Sequence, residues 1–156
     1  MFALKANYST KAVAMGNSCI VLGDRHQNVL EGIRGLLETL FGSVVMVADQ
    51  PSLFEVLDRI KPTFAIVDLS LLGQGKMNTT FELNKRFQDV KFIVLSDYDE
   101  PEVVDDVMSA GASGFVLKQY AGTDLFDAIK SVQEGQTFIS PAVKNKRDSQ
   151  EKNKFL

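Results

Sequence analysis

One cysteine, one histidine, four prolines and no tryptophan mark what this 156-residue chain does without. A lone Cys19 excludes an internal disulfide and a cysteine-built metal cluster. Placed in an apolar run, it reads as a small buried side chain. A lone His26 excludes a histidine-only metal site and reads as a loop residue. No apolar run approaches the ~20 residues that a membrane-crossing helix needs. The opening MFALKANYSTKAVAMGN carries Lys5 and Lys11 without the continuous apolar core of a secretory signal. Strong charge is missing too. A net charge of −3 offers no basic surface of the kind that nucleic acid or an anionic membrane selects. These absences leave a cytoplasmic, one-domain globular protein, as do 45% apolar and 24% charged residues.

What is present is an alternation of two apolar periods. Short continuous runs read as buried strands: Cys19–Leu22, Val44–Val47, Phe64–Val67, Phe92–Leu95 and Phe115–Leu117. Runs that are apolar on both faces suit a parallel sheet covered on both sides. Between them lie segments with helical spacing. The first has Val29, Ile33, Leu36, Leu37 and Leu40, opened by Asn28 and Glu31 as a capping box. The second has Leu53, Val56, Leu57 and Ile60, opened by Ser52 and Glu55. A weaker third runs from Thr79 to Phe87, with Thr79 and Glu82 as its box. The fourth has Val103, Val104, Val107 and Met108, opened by Asp99 to Glu102 and stopped by Gly111. The fifth has Leu125, Phe126, Ile129 and Val132, opened by Thr123 and stopped by Gly135. Parallel strands need crossover helices, so five strand–helix units predict an α/β fold with a doubly wound, five-stranded parallel sheet. Residues 1–17 read as an arm or linker and 18–140 as the domain. Residues 141–156 read as a polar tail or the start of a linker, since 144–156 carry five Lys/Arg against two acids.

Right-handed crossovers put the functional crevice beyond the carboxyl ends of the strands. The residues that close the apolar runs therefore converge there: Gly23-Asp24-Arg25, Asp68, Ser96-Asp97 and Lys118. A polar residue closing one strand is ordinary. Two acids, a hydroxyl and a lysine on four such ends form a chemical set. A carboxylate can accept a phosphoryl group as an acyl phosphate, and the charge that arrives with it calls for Mg²⁺ and an ammonium. No Walker-type glycine loop is present. Asp68-Leu-Ser70 also lacks the second acid that a dehalogenase-type phosphatase uses, which argues against an enzyme.

The motifs IVLGDRH at 20–26, FAIVDLSLLG at 64–73, FIVLSD at 92–97 and GASGFVLK at 111–118 closely resemble the CheY-like response-regulator receiver family, over about residues 18–140. EGIRGLL at 31–37 and EGQTFISP at 134–141 are similar to the subgroup that usually carries a helix-turn-helix output domain. The resemblance implies a bacterial two-component phosphorelay protein. Asp68 would be the phosphoacceptor and Lys118 the lysine that pairs with it. Ser96 would be the switch hydroxyl, and Phe115 the aromatic that turns inward with it, unless it is a plain core residue. Asp24, Asp68 and the Ser70 carbonyl would hold Mg²⁺. A histidine kinase would donate the phosphoryl group, and the fourth helix, fifth strand and fifth helix would form the output or homodimer surface. Binding of nucleic acid by this chain itself is not implied.

Arg25 departs from the family, which places a second metal-binding acid there. Arginine offers Mg²⁺ no ligand. Two unit charges ~4 Å apart interact by about 4 kcal/mol at an effective dielectric of 20, and a divalent ion doubles that. An inward Arg25 would suppress metal binding, whereas an outward one leaves Asp24 and Asp68 a weak site. The alternative function is thus a phosphorylation-independent binding module, in which Arg25 pairs with Asp24 or Asp68. Leu72 stands where the family often has proline, so the Gly73–Lys76 loop is expected to be looser than usual.

Overall fold

The computed structural model describes residues 15–26 and 31–154. Among the described residues, six strands form one sheet: β1 (Met15–Gly23), β2 (Phe41–Val47), β3 (Phe64–Asp68), β4 (Lys91–Ser96), β5 (Gly114–Leu117) and β6 (Phe138–Ile139). Their spatial order is β2-β1-β3-β4-β5-β6, and every pairing is parallel. The helices are α1 (Glu31–Leu40), α2 (Gln50–Ile60), α3 (Lys76–Arg86), α4 (Pro101–Ser109), α5 (Ala121–Gln133) and α6 (Pro141–Lys154).

The strand runs are apolar throughout because successive residues feed two different cores. Ile20, Leu22, Phe64, Ile66, Ile93, Leu95 and Val116 pack with α1 and α5 through Leu37, Leu125, Ala128 and Ile129. Val21, Ala65, Val67, Phe92, Val94, Phe115 and Leu117 pack on the other face with Leu53, Leu57, Leu83, Val104 and Val107. This is the expected doubly wound α/β sandwich.

Several boundaries differ from the sequence reading. β1 begins at Met15, inside the span assigned to the arm. Phe138 and Ile139 add a sixth, two-residue strand, short enough to carry no pattern of its own. The segment read as a polar tail forms α6. Val143 is fully buried there, in the same core as Val104 and Val107 of α4. Lys146 Nζ lies 2.8 Å from Asp99 Oδ1. That hydrogen bond holds the Asp99 carboxyl below its usual range.

The helix starts move as well. Asp49, not Ser52, caps α2: its carboxylate accepts from the Ser52 N–H at 2.8 Å, and Pro51 sits in the first turn. α3 starts at Lys76 after Gly75, with no side-chain cap, so Thr79 and Glu82 lie inside it. α5 starts at Ala121, ahead of Thr123. The expected Asn28 cap falls outside the described residues. Both predicted glycine stops hold. Gly111 (φ 110°) and Gly135 (φ 83°) follow α4 and α5 in left-handed backbone that a side chain would strain.

Candidate functional site

β1, β3, β4 and β5 are successive neighbours in the sheet, and each delivers one polar side chain at its carboxyl end. Asp24, Asp68 and Ser96 are buried, at 0%, 4% and 0% exposure. Lys118 opens the 3₁₀ turn Lys118–Tyr120 after β5 and reaches back across the strand ends. Its ammonium lies 2.6 Å from Asp68 Oδ1 and 2.9 Å from Asp24 Oδ2. One cation thus bridges two carboxylates, leaving a single net negative charge on the trio. Burial alone would lower the Lys118 pKa. Hydrogen bonds to Asp68 and then Asp24 outweigh it and raise the pKa above the ordinary lysine value.

The remaining carboxylate oxygens are engaged locally. Asp24 Oδ1 accepts from the His26 N–H at 2.8 Å, while the His26 ring stays exposed. Asp68 Oδ2 accepts from the Ser70 N–H at 2.9 Å and also from the Ser70 hydroxyl. This makes Asp68 the cap of the 3₁₀ turn Leu69–Leu72. Gln50 Nε2 donates to the Leu71 carbonyl at 2.8 Å and anchors that turn from α2.

Ser96 is engaged by the backbone of Tyr98. Its hydroxyl donates to the Tyr98 carbonyl at 2.9 Å and accepts from the Tyr98 N–H at 2.8 Å, folding the start of the β4–α4 loop. Phe115 is fully buried among the core residues, so its ring already stands inside.

Arg25 is exposed. Among the described residues, the ion-pair partners of Asp24 are Lys118 and His26, and that of Asp68 is Lys118. The pairing of Arg25 with either carboxylate, weighed in the sequence reading, is therefore absent among them, and Lys118 holds that place. Mg²⁺ is the metal that receiver domains generally bind. Asp24, Asp68 and the Ser70 carbonyl are oxygen donors of the kind it takes, but the set is short of an acid at Arg25.

The site opens into a cavity of about 290 Å³, lined among others by Asp68, Ser70, Asp97, His26, Lys76 and Tyr98. Lys76 and Tyr98 were missed in the sequence. Lys76 closes the loop flagged after Leu72, but nothing in its surroundings marks it as facing the site.

Fold and site define a signalling receiver rather than an ordinary enzyme. Residues 20–130 match the response regulator receiver domain. The chain is 32% identical over 126 residues to the transcriptional regulatory protein DegU of Brevibacillus brevis, covering 80% of this chain and 53% of that one. It is 33% identical over 125 residues to response regulator UvrY of Escherichia coli (strain K12), covering 78% and 56%. The isolated REC domain of RcsB from Salmonella enterica serovar Typhimurium, solved in the presence of phosphomimetic BeF3-, gives a TM-score of 0.72 at 28% identity, over 83% of this chain and 97% of that one. An RcsB–DNA complex gives 0.73 at 30% identity, over 83% and 66%. The chain belongs to the response regulator receiver family of two-component systems. It spans about half the length of the curated relatives it matches.

Proposed function

We propose that this chain accepts a phosphoryl group on Asp68 from a histidine kinase in the cytoplasm. The P–N bond of the donor phosphohistidine breaks as a bond forms from phosphorus to an Asp68 carboxylate oxygen, and the imidazole leaves with a proton from solvent. The observation that carries this reading is the Lys118 ammonium 2.6 Å from Asp68 Oδ1, poised against the charge that arrives. Asp24, Asp68 and the Ser70 carbonyl would hold Mg²⁺, weakly because of Arg25; bound there, the ion neutralises phosphoryl oxygens. Ser96 would leave the Tyr98 backbone to donate to the phosphoryl group, and the β4–α4 loop would move with it. With Phe115 already inside, the loop rather than an inward ring swing would carry the change. The α4–β5–α5 surface would then alter its affinity for an output domain or a second copy. In this reading the receiver unit, expected over 18–140, takes in β1 from Met15, and α6, seated on its core by Val143, begins the connection toward an output domain. DNA contact would belong to that domain, not to this chain.

Arg25 supports a second reading, a phosphorylation-independent protein-binding module whose carboxylate pair is held by Lys118 without a metal. Incubation with acetyl phosphate and millimolar Mg²⁺, followed by intact mass measurement, separates the two. A phosphoryl adduct in the natural sequence that is lost in Asp68→Asn supports phosphotransfer. Its absence from the natural sequence overturns phosphotransfer in favour of the second reading.

A further inference from the structure

Lys118 can bridge Asp24 and Asp68 only if β5 releases it at the right height and angle; β4 pairs β5 to its last residue, Leu117, on one edge, but on the other edge β5 has little to hold its end. The partner strand β6 stops after Phe138 and Ile139, paired with Gly114 and Phe115. The Ser140 N–H donates to the Phe115 carbonyl at 2.9 Å. In a continuing parallel ladder, the next rung would run from the Leu117 N–H to the Ser140 carbonyl. That carbonyl is already used, because it accepts from the N–H groups of Val143 and Lys144 in the first turn of α6. The Ser140 hydroxyl takes its place. The Leu117 N–H donates to Ser140 Oγ at 3.0 Å. The hydroxyl in turn donates to Asp124 Oδ2 at 2.7 Å. Asp124 sits in the first turn of α5, where a negative charge faces the positive end of the helix dipole. The Thr123 hydroxyl donates to its other oxygen at 3.3 Å.

Ser140 is fully buried and Asp124 nearly so. Neither touches the carboxylate pair. Together they fix the last strand residue before Lys118 by a chain of hydrogen bonds that leaves the hydroxyl no other orientation. An acceptor is required here, since a buried N–H left unpaired is costly and would be relieved only by shifting the backbone. The shift would displace Lys118.

We infer that Ser140 and Asp124 are positioning residues for Lys118, completing the sheet by one side-chain rung so that its ammonium meets both carboxylates. The effect on reaction rate rests on the phosphotransfer reading; the effect on Lys118 itself does not.

The test uses the 156-residue chain and the variants Ser140→Ala, Asp124→Ala and Asp124→Asn, each checked by circular dichroism and thermal melting. Asp124→Asn keeps an acceptor oxygen for the Ser140 hydroxyl and serves as the rescue. With acetyl phosphate as donor, the maximal rate of Asp68 phosphorylation should fall roughly tenfold in Ser140→Ala and Asp124→Ala, with the half-saturating donor concentration unchanged. Asp124→Asn should stay close to the natural sequence. In a Lys118→Ala background, Ser140→Ala should change the rate by less than about twofold, because the residue it acts through is gone. An equal fall with and without Lys118, or no fall, overturns the inference.

If the natural chain accepts no phosphoryl group, the phosphotransfer reading fails and positioning is read directly. The ¹H–¹⁵N signal of the Lys118 ammonium, kept from exchange by Asp24 and Asp68, should be present in the natural chain and in Asp124→Asn. It should vanish in folded Ser140→Ala. Its persistence there overturns the inference.

Discussion

Replacing Arg25 tests how far one exposed charge sets the metal affinity of this site. Arg25 lies at the surface with neither carboxylate as its partner, so its influence acts through a high dielectric. At ~8 Å and a dielectric of ~80, one pair of unit charges interacts by about 0.5 kcal/mol. Arg25→Ala removes one positive charge facing a divalent ion, which amounts to about 1 kcal/mol and roughly sixfold tighter Mg²⁺ binding. Arg25→Asp changes the local charge by two units, giving about 2 kcal/mol and roughly thirtyfold. Direct ligation by the new carboxylate would add to that. Stability should move by less than about 0.5 kcal/mol in either variant, as for other surface changes. The chain has no tryptophan to report on the metal. The assay is therefore titration calorimetry, or the amide shifts of Asp24 and Asp68, at about 10 mM ionic strength where screening is weak. Graded tightening from Arg to Ala to Asp supports a field effect. An unchanged Mg²⁺ affinity in both variants refutes the reasoning.

Lys118→Met should destabilise the fold by about 3 kcal/mol, because it leaves two buried carboxylates without their shared cation; urea unfolding measures this. The Lys118 pKa is raised on folding. Its stabilising contribution is therefore fully present below the unfolded value of about 10.4 and is lost as pH rises through the folded one, so the gap between natural and Met forms should narrow only in alkali. Lys76→Ala should slow phosphorylation by an anionic donor at low salt and matter less at high salt, as seen in initial rates, because Lys76 lines the cavity at Asp68. Val143→Ala should cost about 2 kcal/mol and speed amide hydrogen exchange in α6, since Val143 is the fully buried residue joining that helix to the core of α4.

The sheet was legible because four of its strands are buried on both faces, so runs such as Phe64–Val67 stand out against amphipathic flanks. The site was legible for the same reason: Asp24, Asp68, Ser96 and Lys118 are the first polar residues after those runs. Capping was less so. Ser52 with Glu55 fits the box pattern, yet the Ser52 backbone donates to Asp49, because the helix begins earlier at Gln50. α6 was hidden by its own polarity, since Val143 and the partly buried Ala142 seat it on the core, too few apolar positions to display a period. The Ser140–Asp124 contact joins residues 16 apart, and local pattern carries no trace of it. The direction of Arg25 depends on the loop backbone and could not be read from residue type.

Four strands of this sheet, β1, β3, β4 and β5, divide their side chains between two separate cores while each delivers one polar group at its tip. Slipping β3 by one residue would send Ile66 into the wrong core and draw Asp68 back from Lys118 by about 3.3 Å. No chain could therefore carry an assembled carboxylate–lysine trio and a misregistered sheet together. The same hydrophobic sorting that selects the fold therefore acts as a first proofreading step for the trio, since a chain that fails it cannot bring the carboxylates and the ammonium together.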